Sequence, residues 1–184
     1  NSRYAINAYQ QSKSLSFSET IAEESHWQLC LLLIDNADYS NAIKELSAFI
    51  EKYPNSSYAT EAKELLSQAY LNTNAYDLAI GFIESLPELT PKLKSAYQKV
   101  TFYQGADYFN QANFYQSVQS LKKSVAYPQS KELAGKAYFW MGEAYSTGKK
   151  YNEALKAYLS SLDRSIERNE WYQNLLYGTA YAYY

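Results

Sequence analysis

The sequence predicts an all-α fold, an α-α superhelix of about ten helices in which antiparallel pairs stack side by side. Three observations carry that prediction. Pro54, Pro91 and Pro128 are 37 residues apart, and a fixed period of that length marks a repeat architecture. Small residues recur at nearly the same interval, at Ala5, Ala42, Ala79, Ser117 and Ala154, and four positions after each stands Tyr9, Leu46, Ile83, Leu121 or Tyr158. Within one period the spacings are those of neighbours on one helix face, and no stretch keeps a strict two-residue alternation.

A second small series, Cys30, Ser67, Gly105, Gly142 and Gly178, has Leu33, Tyr70, Tyr108, Tyr145 and Tyr181 three positions on. An aromatic series, Tyr39, Tyr76, Phe114 and Tyr151, precedes the first small series by three. Turn-forming breaks separate the two small series at Asp35-Asn36-Ala37-Asp38, Asn72-Thr73-Asn74, Asn110-Gln111-Ala112-Asn113 and Ser146-Thr147-Gly148-Lys149, so each period is a pair of helices.

In chain order, a lone second helix is expected near 2–13, because Ala5, Tyr9 and Ser12 stand in register with Ala154, Tyr158 and Ser161. Full repeats follow at about 18–54, 55–90, 91–128 and 129–166, then a lone first helix at 168–184. Ser16-x-x-Glu19 reads as a capping box opening the first helix of 18–54. The stretches Tyr53-Pro54-Asn55-Ser56-Ser57 and Tyr127-Pro128-Gln129-Ser130 close second helices and supply serine caps for the next. Pro87 and Pro91 shorten the second helix of 55–90. One array over 1–184, with no second domain, is expected. Repeat arrays normally end in polar capping helices, so this chain is expected to be an internal piece of a longer protein, with uncapped terminal helices that favour self-association.

The order of residue types, small then Tyr, an aromatic, Ala with a bulky residue four later and a closing Pro, resembles the tetratricopeptide repeat. Tyr138-x-x-Met141-Gly142-x-x-Tyr145, then Tyr151, Ala154, Tyr158 and Ser161, fits that family's pattern at nearly every position. The unit near Glu23 departs from it, with His26, Leu29, Cys30 and Leu33 where the pattern has Trp, Leu, Gly and Tyr, and Thr101 takes the Trp position in the third unit. The resemblance implies a right-handed solenoid of antiparallel pairs. The wealth of Tyr, Asn and Ser also resembles long bacterial multi-repeat proteins of the cell envelope, which implies an envelope or periplasmic setting and leaves the cytoplasm open.

Twenty-one tyrosines are expected to glue helices together, each ring burying roughly 150–250 Å². The formal charge of −2 conceals an asymmetry: residues 1–92 hold 6 Lys or Arg against 12 Asp or Glu, and residues 93–184 hold 11 against 7. Two poles, −6 and +4, suit steering or head-to-tail contact, although an uneven solvated face is the simpler account. The basic excess is modest and scattered, so no nucleic acid partner is expected. No apolar run in this chain approaches the length of a membrane span.

Catalysis needs several polar groups converging on one reacting atom, and the chain offers few. The single His26 cannot build a multi-histidine metal site and occupies the repeat's tryptophan slot, so a packed structural histidine is expected. Cys30, in a small-residue slot among apolar neighbours, is expected to be an inert thiol. Glu61 with Glu64, and Glu167 with Glu170, have helix-face spacing but read as solvated surface. Asn55-Ser56-Ser57 matches a glycosylation acceptor by a common chance pattern. No phosphate loop, nucleophile elbow or zinc-helix motif occurs. No enzyme activity, cofactor or metal is therefore expected.

The family resemblance implies a concave groove lined by first helices, with exposed side chains at the second, fifth, ninth, twelfth and thirteenth positions of each unit. Carried onto this chain, that gives Trp27, Leu31, Glu64, Gln68, Phe102, Phe109, Asn110, Phe139, Glu143 and Tyr172. Such a groove is aromatic and nearly neutral and suits a peptide or protein segment. Core packing of Trp27, Phe102 and Phe139 is the competing expectation. Relatives that clamp a chaperone's acidic C-terminus place Lys and Asn at the fifth and ninth positions of the first unit, where this chain has Trp27 and Leu31. A carboxylate clamp is thus not expected. The alternative to a binding module is a structural spacer or oligomerisation segment with an empty groove, and behind it stands an RNA-binding helical repeat, which would require the +4 half to bind RNA with a steep salt dependence.

Overall fold

The computed structural model describes residues 2–15, 18–164 and 170–183, and among these it shows only helices and turns. The helices are α1 (Ser2–Leu15), α2 (Glu19–Asp35), α3 (Tyr39–Lys52), α4 (Ala59–Asn72), α5 (Tyr76–Glu84), α6 (Pro91–Asn110), α7 (Phe114–Ala126), α8 (Lys131–Thr147), α9 (Tyr151–Leu162) and α10 (Glu170–Tyr183). None of them is long and apolar enough to cross a membrane. They fall into two compact units, Asn1–Phe82 and Ile83–Tyr184.

In the first unit, successive helices from α1 to α4 pack on one another. Their core is Trp27, Leu29, Cys30, Leu33, Ala42, Leu46, Phe49, Tyr53, Ala62 and Leu66. In the second, α6 to α9 pack in sequence, α10 packs on α9, and α8 also touches α6 and α10. First helices therefore lie side by side there.

The two small-residue series explain the packing. Ala42, Ala79, Ser117 and Ala154 are fully buried, as are Leu46, Ile83 and Leu121. The second series makes holes for those large side chains. A Cβ on Gly105 would lie 2.6 Å from Leu121 Cγ, and one on Gly142 would lie 2.4 Å from Tyr158 Cε1. Gly178 approaches the same tyrosine from α10, so Tyr158 is clamped between two glycines.

Each pair turns through the same device. Ala37, Asn74, Ala112 and Lys149 have φ of 55°, 56°, 59° and 57°, the left-handed conformation that closes a helix C-terminus. At the first of them Ala37 N–H donates to the Ile34 carbonyl at 2.9 Å and Asp38 N–H to the Leu33 carbonyl at 2.9 Å. At the third, Asn113 N–H reaches the Tyr108 carbonyl at 2.8 Å. Three of the four residues are neither Gly nor Asn, which is why composition conceals the motif. Gly148 itself has φ −78°.

Between repeats the prolines act differently. Pro54 and Pro128 follow α3 and α7, but Pro91 opens α6 at its first turn, where Thr90 accepts from Leu93 N–H at 3.2 Å. The α5 helix stops at Glu84, ahead of Pro87, and has only 9 residues. Ser130 caps α8 through Leu133 N–H, as expected. For α2 the N-cap is Ser18, with no side-chain capping bond, and Ser16 lies outside the described residues, as does Glu167.

Buried Gln98 pins the junction of α7 and α8. Its Oε1 accepts from the Gln129 and Ser130 amides at 3.0 and 2.8 Å, and its Nε2 donates to the Ser130 carbonyl at 3.0 Å. Ser124 and Ser161, one repeat apart, donate to the carbonyls of Gln98 and Gly135 at 2.8 and 2.7 Å.

The tyrosines depart from expectation. Tyr53, Tyr97 and Tyr158 are buried, but Tyr4, Tyr103, Tyr115, Tyr127, Tyr151, Tyr177, Tyr181 and Tyr183 are exposed. Many therefore decorate the outside, where a phenol keeps its hydroxyl in water. Tyr177 stands in the register slot of buried Leu29, Leu66 and Met141 yet is 75% exposed.

Candidate functional site

The sequence-predicted groove residues separate into core and surface. Trp27 is only 3% exposed, stacks on Tyr58 with centroids 5.0 Å apart and 9° between planes, and packs on Phe49. Phe102, at 8%, belongs to the core with Leu121, Ala137, Met141 and Ala157. Both exposures are corrected by the structure, because these rings fill the space between a first helix and its neighbours. Leu31 packs half-buried against the first unit's core, Glu64 is half-buried and Gln68 exposed. Asn110 is exposed at the end of α6, and Tyr172 is half-buried.

Phe139 and Glu143 come together in one cleft, and Phe109 stands beside it against Trp140. Phe139, Trp140 and Glu143 from α8 face Trp171, Asn174 and Tyr177 from α10 across a cleft of about 510 Å³. Helical spacing aligns each set of three on one side of its helix. Phe139 is 7% exposed and belongs to the core with Ala154, Tyr158 and Leu175, so its expected exposure is corrected as well; it forms the floor of the cleft, with Trp140 at 5.5 Å and Trp171 at 5.6 Å between ring centroids. Phe109 on α6 extends the aromatic row, 4.8 Å from Trp140 and 5.3 Å from Phe114.

Two polar atoms mark this cleft. Glu143 Oε1 accepts from the Tyr158 hydroxyl at 2.6 Å, and burial, then the Glu143 carboxylate, pushes that phenol above its usual range. The Trp171 indole N–H is buried and has no acceptor among the described residues. Trp140, Trp171, Asn174 and Tyr177 were not among the sequence-predicted groove residues, since they lie off the positions the repeat pattern marks. Their signal in the sequence was the gathering of aromatics on the last two first helices.

A larger cleft of about 670 Å³ lies beside the Leu86–Leu89 segment, with Glu84, Lys94, Tyr97 and Tyr127 on its walls. Its Glu84 is already engaged by the Tyr97 hydroxyl at 2.6 Å and Lys123 Nζ at 2.9 Å, and those partners, Lys123 foremost, hold its carboxyl below the usual range.

The reactive groups noted in the sequence are packed. His26 is 2% exposed, with Nε2 2.9 Å from Glu45 Oε2 and its ring edge-on to Phe49. Glu45 also takes Lys13 Nζ at 2.6 Å. Burial, with help from Glu45, pushes the Cys30 thiol up to about 12, which leaves it protonated near neutrality.

No family model matches the chain, and no curated protein matches it in sequence. Solved structures match its fold. A MamA double mutant of strain RS-1 is 14% identical with a TM-score of 0.54, covering 90% of this chain and 86% of its own. MamA from residue 41 of Desulfovibrio magneticus RS-1 is 15% identical, with a TM-score of 0.52 and coverages of 90% and 87%. A crystal structure of MamA is 18% identical, with a TM-score of 0.50 and coverages of 89% and 88%. At these identities the likeness concerns the fold, and the chain has the all-α, tetratricopeptide-like helical-repeat fold.

Proposed function

We propose that this chain is a non-catalytic protein-interaction module that holds a segment of another protein in the aromatic cleft between α8 and α10. The supporting observation is the convergence of Phe139, Trp140, Trp171 and Tyr177 on one concave site, with Phe109 continuing the row along α6. Aromatic side chains in partly desolvated pockets are the usual carriers of binding energy, each worth about 2 kcal/mol or more. The lining carries one carboxylate and one amide, a poor basis for catalysis, which needs a nucleophile or base with an orienting partner. No cofactor enters this reading.

Affinity capture with the full chain tests it, using Trp140→Ala and Tyr177→Ala variants. Tyr177 is mostly exposed, so its loss should leave far-ultraviolet circular dichroism unchanged. Each variant should weaken retention of the captured protein by about tenfold or more. Equal retention by wild type and both variants would remove this cleft from the reading. Capture of nothing would favour the alternative, a spacer or oligomerisation segment whose groove stays empty.

A further inference from the structure

Resting on that reading of the cleft, we propose that the anchor it takes is the guanidinium of an arginine side chain in the partner segment. Among the described residues the only charged group in the lining is the Glu143 carboxylate, and around it stand Phe139, Trp140, Trp171 and Tyr177. Aromatic faces attract a cation within about 6 Å of the ring centroid, and a carboxylate among them supplies the counter-charge. A neutral anchor would press apolar surface against that carboxylate and strip its water without replacing it.

Arginine suits the site better than lysine. Its planar, weakly hydrated head stacks on rings and donates two parallel hydrogen bonds to a carboxylate. Glu143 is positioned to receive them, because the Tyr158 hydroxyl holds its Oε1 at 2.6 Å. Tyr158 is itself fixed, 1% exposed and clamped between Gly142 and Gly178. The carboxylate's place is therefore set by the repeat's own packing.

Residues 93–184 carry a net +4, so the half-chain as a whole does not draw cations in. Selectivity comes from the short-range contacts of the cage.

The test uses the full chain and two acetylated, amidated pentapeptides, Gly-Gly-Arg-Gly-Gly and its neutral isostere with citrulline in place of arginine. Tryptophan fluorescence and the Trp171 indole proton resonance follow the titrations. The arginine peptide should bind about tenfold or more tighter than the citrulline peptide and shift that resonance. Glu143→Gln keeps an acceptor oxygen for Tyr158, and it should bring arginine binding down to the citrulline level. Equal binding of the two peptides, binding of neither, or an intact preference in Glu143→Gln overturns the proposal. If Glu143→Gln misfolds, the wild-type comparison of the two peptides decides alone. Capture that depends on Trp140 and Tyr177, alongside equal peptide binding, would leave the groove standing and remove only the cationic anchor.

Discussion

Replacing Gly142 with alanine sets two opposed effects against each other, and the geometry says which one wins. Alanine inside a helix gains about 1 kcal/mol over glycine. Against that, the new methyl would lie 2.4, 2.5 and 2.9 Å from Cε1, Cδ1 and Cζ of Tyr158, where carbon atoms rest at about 3.5–4.0 Å. The ring has nowhere to retreat, since Gly178 backs it and Glu143 holds its hydroxyl. Separating α8 from α9 by roughly 1 Å is then required, and overpacking of this kind costs about 1–3 kcal/mol. Gly81 is the internal control: it lies in α5, and a Cβ added there would meet nothing within 4 Å, so Gly81→Ala should gain about 0.5–1 kcal/mol. Urea denaturation followed by circular dichroism should thus separate the two variants by about 1–3 kcal/mol, with Gly142→Ala the weaker. Adding Tyr158→Leu to Gly142→Ala should recover part of the loss, because in the first unit Leu46, at the position of Tyr158, packs in one core with Cys30, which stands at the position of Gly142 and carries a Cβ. If Gly142→Ala proves as stabilising as Gly81→Ala, the close approach of α8 and α9 is not what selects glycine there.

The left-handed turns should be improvable: Ala112→Gly removes a conformation that costs an L-residue about 1–2 kcal/mol and should raise stability by about 0.5–1 kcal/mol after the entropy of the unfolded glycine is subtracted. Asn74→Gly should do less, since Asn tolerates that region better, and thermal melts rank the two. Gln98→Leu leaves the Gln129 and Ser130 amides without their acceptor, so it should cost about 2–4 kcal/mol, with faster hydrogen exchange at both amides. Acid should find Glu45, whose carboxyl is held down to about 2 first by the His26 imidazole 2.9 Å away and then by Lys13. A depressed carboxyl stabilises the fold fully above its ordinary value of 4.5 and loses that contribution as pH falls towards 2. Wild type should therefore lose up to about 3 kcal/mol relative to Glu45→Gln across that window, and parallel acid titrations would refute it.

Much of the fold was legible because a repeat writes the same packing rule several times. Gly142 with Tyr158 alone is a coincidence of size, but Gly105 with Leu121 a period earlier makes it a rule, and the structure puts both pairs in contact. The turns were legible as breaks, not as conformations: Ala37, Ala112 and Lys149 adopt positive φ without the residue that usually announces it. Of the groove residues implied by the resemblance, Phe139 and Glu143 line the cleft, but Phe139 is buried like Trp27 and Phe102 at the same position of earlier units.

The sequence by itself determined helix, pairing and period, because spacings of three and four, turn-forming breaks and recurring small residues depend only on local geometry repeated along the chain. Tertiary structure alone decided which aromatics face solvent. An aromatic ring in a first helix is core or wall according to what the neighbouring helix presents. Tyr58 covers Trp27 at 5.0 Å, whereas Trp140 and Trp171 stand across an open cleft. That difference belongs to the space between helices, which no single helix's sequence encodes.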